Sequence, residues 1–266
     1  MDILVPTNGS QWGNRAVRAA CHLARSDDVL HVLHVVDSRF IQPMVNGLDD
    51  ALIDAQQLEP DEVLESYCRE ADEILDECAT ICTEAGVEFR LHRAIGIPCR
   101  VIVERASACD LLVLAKRGFS PRKVSRRTQW ILQRVPVPAL AVARSEPISH
   151  LLFVHDGRPA SEELAQVVAR VFQEKPLSVR VLCFAPQGEG AERAAELFRQ
   201  AGFEATVGYP EERSFFSVLL AAQDHDAEAI AVAAPRPRGL RRLLGRGDIV
   251  AYVARNVNCA VLALRS

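Results

Sequence analysis

The sequence predicts an α/β protein made of two doubly wound parallel-sheet domains in tandem, and three observations predict it. Short Val/Ile/Leu-rich runs alternate with segments whose apolar residues recur at helical spacing. That is the pattern of βαβ units whose strands are covered on both faces. The chain has 266 residues, long for one compact unit and comfortable for two. Its halves also repeat. ILVPTNGS corresponds to LFVHDGRP, HVLHVVD to RVLCFAP, CDLLVLAKRG to AEAIAVAAPRP, and WILQRVPVPALAVA to YVARNVNCAVLALR, in the same order.

The elements follow from the N-terminus. Apolar runs predict first-half strands at Ile3–Pro6, Val29–Val36, Val87–His92, Leu111–Ala115 and Ala139–Ala143. Helices are expected at Asn14–Ala24, Pro60–Ala85 and Cys99–Ala106. Asn8-Gly9-Ser10 reads as a strand-to-helix turn with an N-cap. The acid-rich stretch from Asp61 to Glu84 spaces Val63, Leu64, Tyr67, Ala71, Ile74, Leu75, Cys78, Ile81 and Cys82 along one face, an amphipathic helix with a solvated acidic side. Before it lies an extra segment, about 38–59, without counterpart in the second half; a connection that long is usually functional or mobile. The polar stretch Arg144–His150, with Pro147, marks the boundary, giving domains at 1–146 and 147–266. Second-half strands are expected at Leu151–His155, Ser178–Ala185, Glu204–Gly208, Ala229–Ala233 and Ala260–Leu264. Helices are expected at Glu162–Phe172, Ala191–Ala201 and Phe215–Gln223.

Composition narrows the function classes. Hydrophobic content of 49% with 25% charge is ordinary for a soluble globular protein. A net charge of −4 argues against a nucleic-acid partner. The N-terminus opens directly in a strand pattern, so no secretory signal is expected, and no apolar run reaches the length of a membrane span. A cytoplasmic location follows as the expectation. The eight Cys (21, 68, 78, 82, 99, 109, 183, 259) are then reduced thiols acting as small hydrophobes. Cys78 and Cys82 lie one helical turn apart, but no CxxC pair or nearby His completes a metal site, and no metal is expected.

Four stretches carry a family resemblance. Ile3-Leu4-Val5-Pro6-Thr7-Asn8-Gly9-Ser10 fits an opening strand running into V-D-G-S. Asp110-Leu111-Leu112-Val113-Leu114-Ala115-Lys116-Arg117-Gly118 fits a D-L-I-V-M-G strand, and Val135-Pro136-Val137-Pro138-Ala139-Leu140-Ala141-Val142 fits a closing P-x-P-V-L-V-V strand. In the second half, Arg238-Gly239-Leu240-Arg241-Arg242-Leu243-Leu244-Gly245 fits the loop between the last two strands. In this order, repeated twice, the chain resembles tandem universal stress protein domains. The resemblance implies a Rossmann-like five-stranded parallel sheet of order 3-2-1-4-5 in each half. Ligands in such sheets bind where strand order reverses, between the ends of the first and fourth strands.

Family members that bind ATP resemble one another in a G-x2-G-x9-G-[ST] loop, whose glycines let backbone N–H groups approach phosphates. This chain departs from it twice. The first half reads Ala115, Gly118, then Ser125-Arg126, about three residues short. The second reads Ala234, Pro237, then Gly247-Asp248, with the spacing intact and a carboxylate in place of the hydroxyl. Asp248 is a good N-cap and also a negative charge where a phosphate would lie. The first-strand acid expected to meet adenosine is Asn8 in one half and Asp156 in the other. The nucleotide-binding set that the resemblance implies is therefore Pro6, Thr7, Asn8, Val36, Ala115, Arg117, Gly118, Ser125 and Arg126 in the first half. In the second it is Val154, His155, Asp156, Ala234, Arg236, Arg238, Gly247 and Asp248. Both loops are basic, with Lys116, Arg117, Arg122, Lys123, Arg126 and Arg127 in one and Arg236, Arg238, Arg241, Arg242 and Arg246 in the other. They suit a phosphate or other polyanion, and equally a solvated Arg-rich surface.

Other candidates are weaker. His31 and His34, three apart on a strand, face opposite ways and cannot be one ligand pair. His155 beside Asp156 is either a general base or a local hydrogen-bond pair. Ser10 lacks a G-x-S-x-G elbow. No catalytic residue is assigned. The expectation is a non-catalytic stress-response protein that binds ATP, AMP or another anion in at least one half. The alternative is a nucleotide-free module that acts through protein partners. The apolar edge strands Ala139–Ala143 and Ala260–Leu264 need covering. The family resemblance implies that domains pair through these last strands, so they are expected to pair with each other within the chain, and a homodimer formed through helices is expected besides.

Overall fold

The computed structural model of the protein describes residues 1–39, 60–117, 124–185, 188–235 and 248–265. The first half comprises β1 (Asp2–Thr7), α1 (Gln11–Leu23), β2 (Val29–Asp37), α2 (Pro60–Ala85), β3 (Glu88–Gly96), α3 (Pro98–Ala106), β4 (Leu111–Ala115), α4 (Arg126–Leu132) and β5 (Ala139–Val142). The second comprises β6 (His150–His155), α5 (Pro159–Val171), β7 (Ser178–Cys183), α6 (Glu189–Gln200), β8 (Glu204–Gly208), α7 (Phe215–Asp224), β9 (Ala229–Ala234), α8 (Ile249–Asn256) and β10 (Ala260–Arg265). From residue 40 onward, the extra segment expected at 38–59 lies outside the described residues.

Local chemistry sets the helix starts. Ser10, Ser125, Ser214 and Asp248 each cap a helix by accepting a backbone N–H from two or three residues on. Pro98 and Pro159 stand at the first positions of α3 and α5, where a missing N–H costs nothing. The Ser10 cap starts α1 three residues before the expected Asn14. β3 runs four residues beyond the expected His92 because its ladder with β2 continues through Asp37↔Gly96, past the apolar run. β7 stops at Cys183 rather than Ala185, where its partners end at His155 and Gly208.

The ten strands form one sheet in the order β3-β2-β1-β4-β5-β10-β9-β6-β7-β8. Each half contributes a parallel set in the order first-half 3-2-1-4-5, repeated in mirror sequence. The two sets meet at β5 and β10, which pair antiparallel with Leu262 opposite Leu140. The strands marked as unprotected edges therefore cover each other. One core packs α1, α2, α5 and α6 on one face of the sheet, and a second packs α3, α4, α7 and α8 on the other. Both cores run across the seam between the halves, so apolar burial joins the halves as well as filling each.

Two buried cations also cross that seam. Lys116, just after β4, donates to the carbonyls of Val257 (2.7 Å) and Cys259 (2.8 Å). Burial pulls its ammonium down to about 8. Arg265, at the end of β10, donates to the carbonyl of Leu132 at 2.8 Å and reaches Pro235. Among the described residues no helix is long and apolar enough to cross a membrane.

Candidate ligand clefts at the strand ends

β1 pairs with β4 on one side and β2 on the other, so the chain leaves the sheet in opposite directions on either side of β1. Strand order therefore reverses beside Thr7, Asn8 and Ala115, the point at which sheets of this kind place a cleft. Thr7 is buried, Pro6 half-buried and Asn8 exposed. The Asn8 side chain is engaged by its own turn: Oδ1 accepts from the Ser10 hydroxyl at 2.8 Å and the Ser10 amide at 3.4 Å. Ser125 lies across the cleft as the cap of α4, and Thr128 Oγ1 donates to the Ala115 carbonyl at 2.9 Å. The backbone at Ala115 is thus partly spoken for by its own helix.

α2 closes over this end of the sheet. Gly9 adopts a left-handed φ of 70°, and a Cβ built there would stand 2.7 Å from Ile74 Cγ1. Val36 packs with Ala71, Leu64 and Tyr67 of the same helix. Arg117 does not reach into the cleft alone: it bonds Asn258 Oδ1 at 3.0 Å and lies over the Trp12 ring. Arg127 pairs with Asp37 at 3.6 Å. Asp37 also holds Arg39, whose guanidinium keeps the carboxyl below the usual carboxylate range. Arg126 is exposed. Lys116, Arg117 and Arg127 of the first loop are therefore tied to the seam or to Asp37 rather than held out toward a ligand.

The second cleft is built the same way, between the ends of β6 and β9. It holds a cavity of about 310 Å³ lined by Asp156, Arg158, Pro159, Ala160, Glu163, Ala233, Ala234 and Pro235. Asp156 stands at its edge. Its Oδ1 accepts from the Ser161 hydroxyl at 2.7 Å and the Arg158 amide at 3.1 Å, which leaves Oδ2 near Arg158 Nε at 3.6 Å. Val154 and His155 are buried beneath it. The local His155–Asp156 hydrogen bond weighed from the sequence is not made. Instead His155 Nδ1 accepts from the Gly157 amide, and Nε2, buried against Gly190, has no hydrogen-bond partner among the described residues. Burial holds this imidazole below its ordinary value, which keeps the ring neutral.

Asp248 is not a free charge in the cleft. Its Oδ1 caps α8 through Val250 and Ala251, and its Oδ2 meets Arg265 at 2.8 Å, with both side chains buried. Of the residues predicted from the sequence, Asp156 and Ala234 come together around one cavity, while Asp248 is turned to structural work. Gly118, Arg236, Arg238 and Gly247 lie outside the described residues. Reading the sequence missed Arg265, Thr128 and Ile74. Arg265 follows an apolar strand and shows no sign of its partners, and Ile74 sits in an ordinary helical stripe. Among the described residues, no group of three or more His, Cys, Asp and Glu side chains is placed to hold a metal ion.

The fold defines a doubly wound α/β protein. The chain belongs to the universal stress protein family, whose model matches residues 1–143. A universal stress protein from Archaeoglobus fulgidus is similar over 99% of this chain and 98% of its own, with 15% identity and a TM-score of 0.77. A functionally unknown protein from Pseudomonas aeruginosa PAO1 is similar over 99% and 92%, with 16% identity and a TM-score of 0.59. A universal stress protein in complex with cAMP covers 55% of this chain and 98% of its own, with 19% identity and a TM-score of 0.39. No curated protein sequence matches the chain.

Proposed function

We propose that the chain is a tandem of two universal stress protein domains, 1–146 and 147–266, whose second cleft binds an adenine nucleotide or another anionic ligand without catalysing its turnover. The observation that carries this reading is the cavity beside Asp156 and Ala234, at the point where strand order reverses. Asp156 offers a carboxylate for ribose hydroxyls. The objection from Asp248 weakens, because Arg265 and two backbone amides neutralise it. Among the described residues neither strand end gathers the clustered carboxylates or ordered nucleophile that hydrolysis would need. Isothermal titration with ATP, AMP and cyclic AMP tests the reading. Heat is expected for at least one of them, with affinity falling about tenfold in Asp156→Ala, as for loss of one charge-assisted hydrogen bond. Silence from all three at millimolar ligand overturns it.

A second reading, a nucleotide-free module for protein partners, is favoured by the first cleft, where Ile74 sits on Gly9, and by exposed Tyr209, Phe216 and Leu220 in the second half. A thermal midpoint that rises with added nucleotide speaks for the first reading, since a ligand selective for the native state must stabilise it.

A further inference from the structure

α1 and α2 pack side by side in the first half, and their contact gathers three thiols. Cys21 of α1 and Cys82 of α2 face each other with Sγ atoms 4.0 Å apart. Cys78, one turn earlier on α2, lies with its Sγ 4.0 Å from Asn14 Oδ1. Cys82 and Cys78 are fully buried, whereas Cys21 is 8% exposed, so among the described residues the Cys21 side is the more open to an oxidant. The same seam is pinned by Asn14 Nδ2, which donates to Glu77 Oε1 at 2.7 Å. The two sulfurs are in van der Waals contact, and an inward shift of about 2 Å would bring them to bonding distance.

We propose that Cys21 and Cys82 form a reversible redox pair, oxidised by a hydroperoxide to a disulfide that staples α1 to α2. Cys21 is the attacking thiolate. Its proton is loosened by the Cys82 thiol that bonds it and by Arg18 one turn away, against the opposing effect of burial, while Cys82 is held in the protonated form by that bond and by burial. In the first step the Cys21 thiolate attacks one peroxide oxygen. The O–O bond breaks, a sulfenic acid forms, and the leaving alkoxide takes a proton to become an alcohol, or water when the oxidant is hydrogen peroxide. In the second step Cys82 sulfur attacks Cys21 sulfur. The S–S bond forms, the S–O bond breaks, and hydroxide leaves with the Cys82 proton as water. Two thiols and one hydroperoxide thus give one disulfide, one alcohol and one water. A dithiol reductant reverses the change by thiol–disulfide exchange.

The position gives the staple a consequence. Ile74, which covers Gly9, lies about two turns before Cys82 on α2. Fixing α2 to α1 therefore fixes the helix that closes the first cleft, whatever either cleft binds.

The test uses the full chain. The protein is treated with equimolar hydrogen peroxide, its remaining thiols are alkylated in denaturant, and the digest is mapped by mass. The expected result is a cross-linked peptide pair joining Cys21 to Cys82, loss of two of the eight free thiols, full reversal by dithiothreitol, and a higher thermal midpoint for the oxidised form. In Cys82→Ser the reaction should stop at a sulfenic acid on Cys21, trapped by dimedone. Oxidation of the more exposed Cys68, Cys99 or Cys109 while Cys21 and Cys82 stay reduced overturns the proposal, as does a disulfide of any other pairing. Should Cys82→Ser fail to fold, the wild-type peptide map alone decides.

Discussion

The ion pair between Asp248 and Arg265 is buried on both sides, at 9% and 2% side-chain exposure, so its members depend on each other. Removing one leaves a buried charge alone, which costs about 3–5 kcal/mol. Asp248→Ala also strips the cap from α8, about 1 kcal/mol more. Urea denaturation should show this loss, and the double variant Asp248→Ala, Arg265→Met should recover a large part of it. A loss in the double variant equal to the sum of the Asp248→Ala and Arg265→Met losses would mean that the pair is not coupled. A second residue-scale effect comes from imidazoles. Burial holds His34, His92, His155 and His225 below the ordinary value of 6.5. The unfolded chain then binds more protons than the fold as pH drops through about 6.5, so stability is unaffected by these rings above that pH and falls below it. Asp37 and Glu162, held low by Arg39 and Arg193, push the same way only at lower pH, near their ordinary values of 3.8 and 4.5. Thermal midpoints measured from pH 8 to pH 5 should decline from about pH 6.5, with a shallower slope in His155→Gln; a flat profile would show that these rings titrate alike in both states. At this scale the sequence was only half legible. The place of Asp156 just past the end of β6 could be read, because the apolar run stops at His155. The partner of Asp248 could not, because Arg265 lies 17 residues on and reaches it only once β10 is placed beside β9.

Elements were easier to read than the contacts between them. Period-2 and period-3.6 patterns report which face an element buries, so the strands and the longer helices follow from sequence with shifts of a few residues at the ends, while the short α4 and α8 carry too few turns to show a period. They do not report how far a helix slides along its sheet. The closure of the first cleft by α2 depends on that slide, and the only sequence trace is a glycine after Asn8. That glycine carries a testable load. Gly9→Ala forces a side chain into a left-handed backbone, about 1–2 kcal/mol, and drives Cβ against Ile74. Thermal unfolding should show a loss of at least about 2 kcal/mol, combining backbone strain with overpacking. Adding Ile74→Ala should remove the steric part and leave the backbone part. Complete recovery in the double variant would assign the whole cost to the side-chain clash.

At the scale of the whole molecule, the two halves behave as one body only if the β5–β10 junction holds. That junction was legible because both strands are short, apolar and without a charge or Pro to blunt an edge. The cations that brace it were not, since Lys116 reads as part of a basic loop until the second half is laid beside it. The structure places Leu140 opposite Leu262, both fully buried, at the centre of the antiparallel ladder. Leu262→Lys puts an ammonium where no acceptor waits, and a buried unpaired charge costs several kcal/mol, about 3 or more. The same amine is tolerated at Lys116 because two carbonyls of the other half receive it. Lys116→Met removes those bonds but also removes the burial penalty that pulls the ammonium to about 8, so it should cost less, roughly 1–2 kcal/mol. Leu262→Lys should therefore unfold at lower urea than Lys116→Met and should bind a hydrophobic dye as the two cores open at the seam. Its transition should broaden or split as the halves lose their shared cores. A Leu262→Lys protein that keeps wild-type stability and binds no dye would mean that the strand pairing does not hold the halves together.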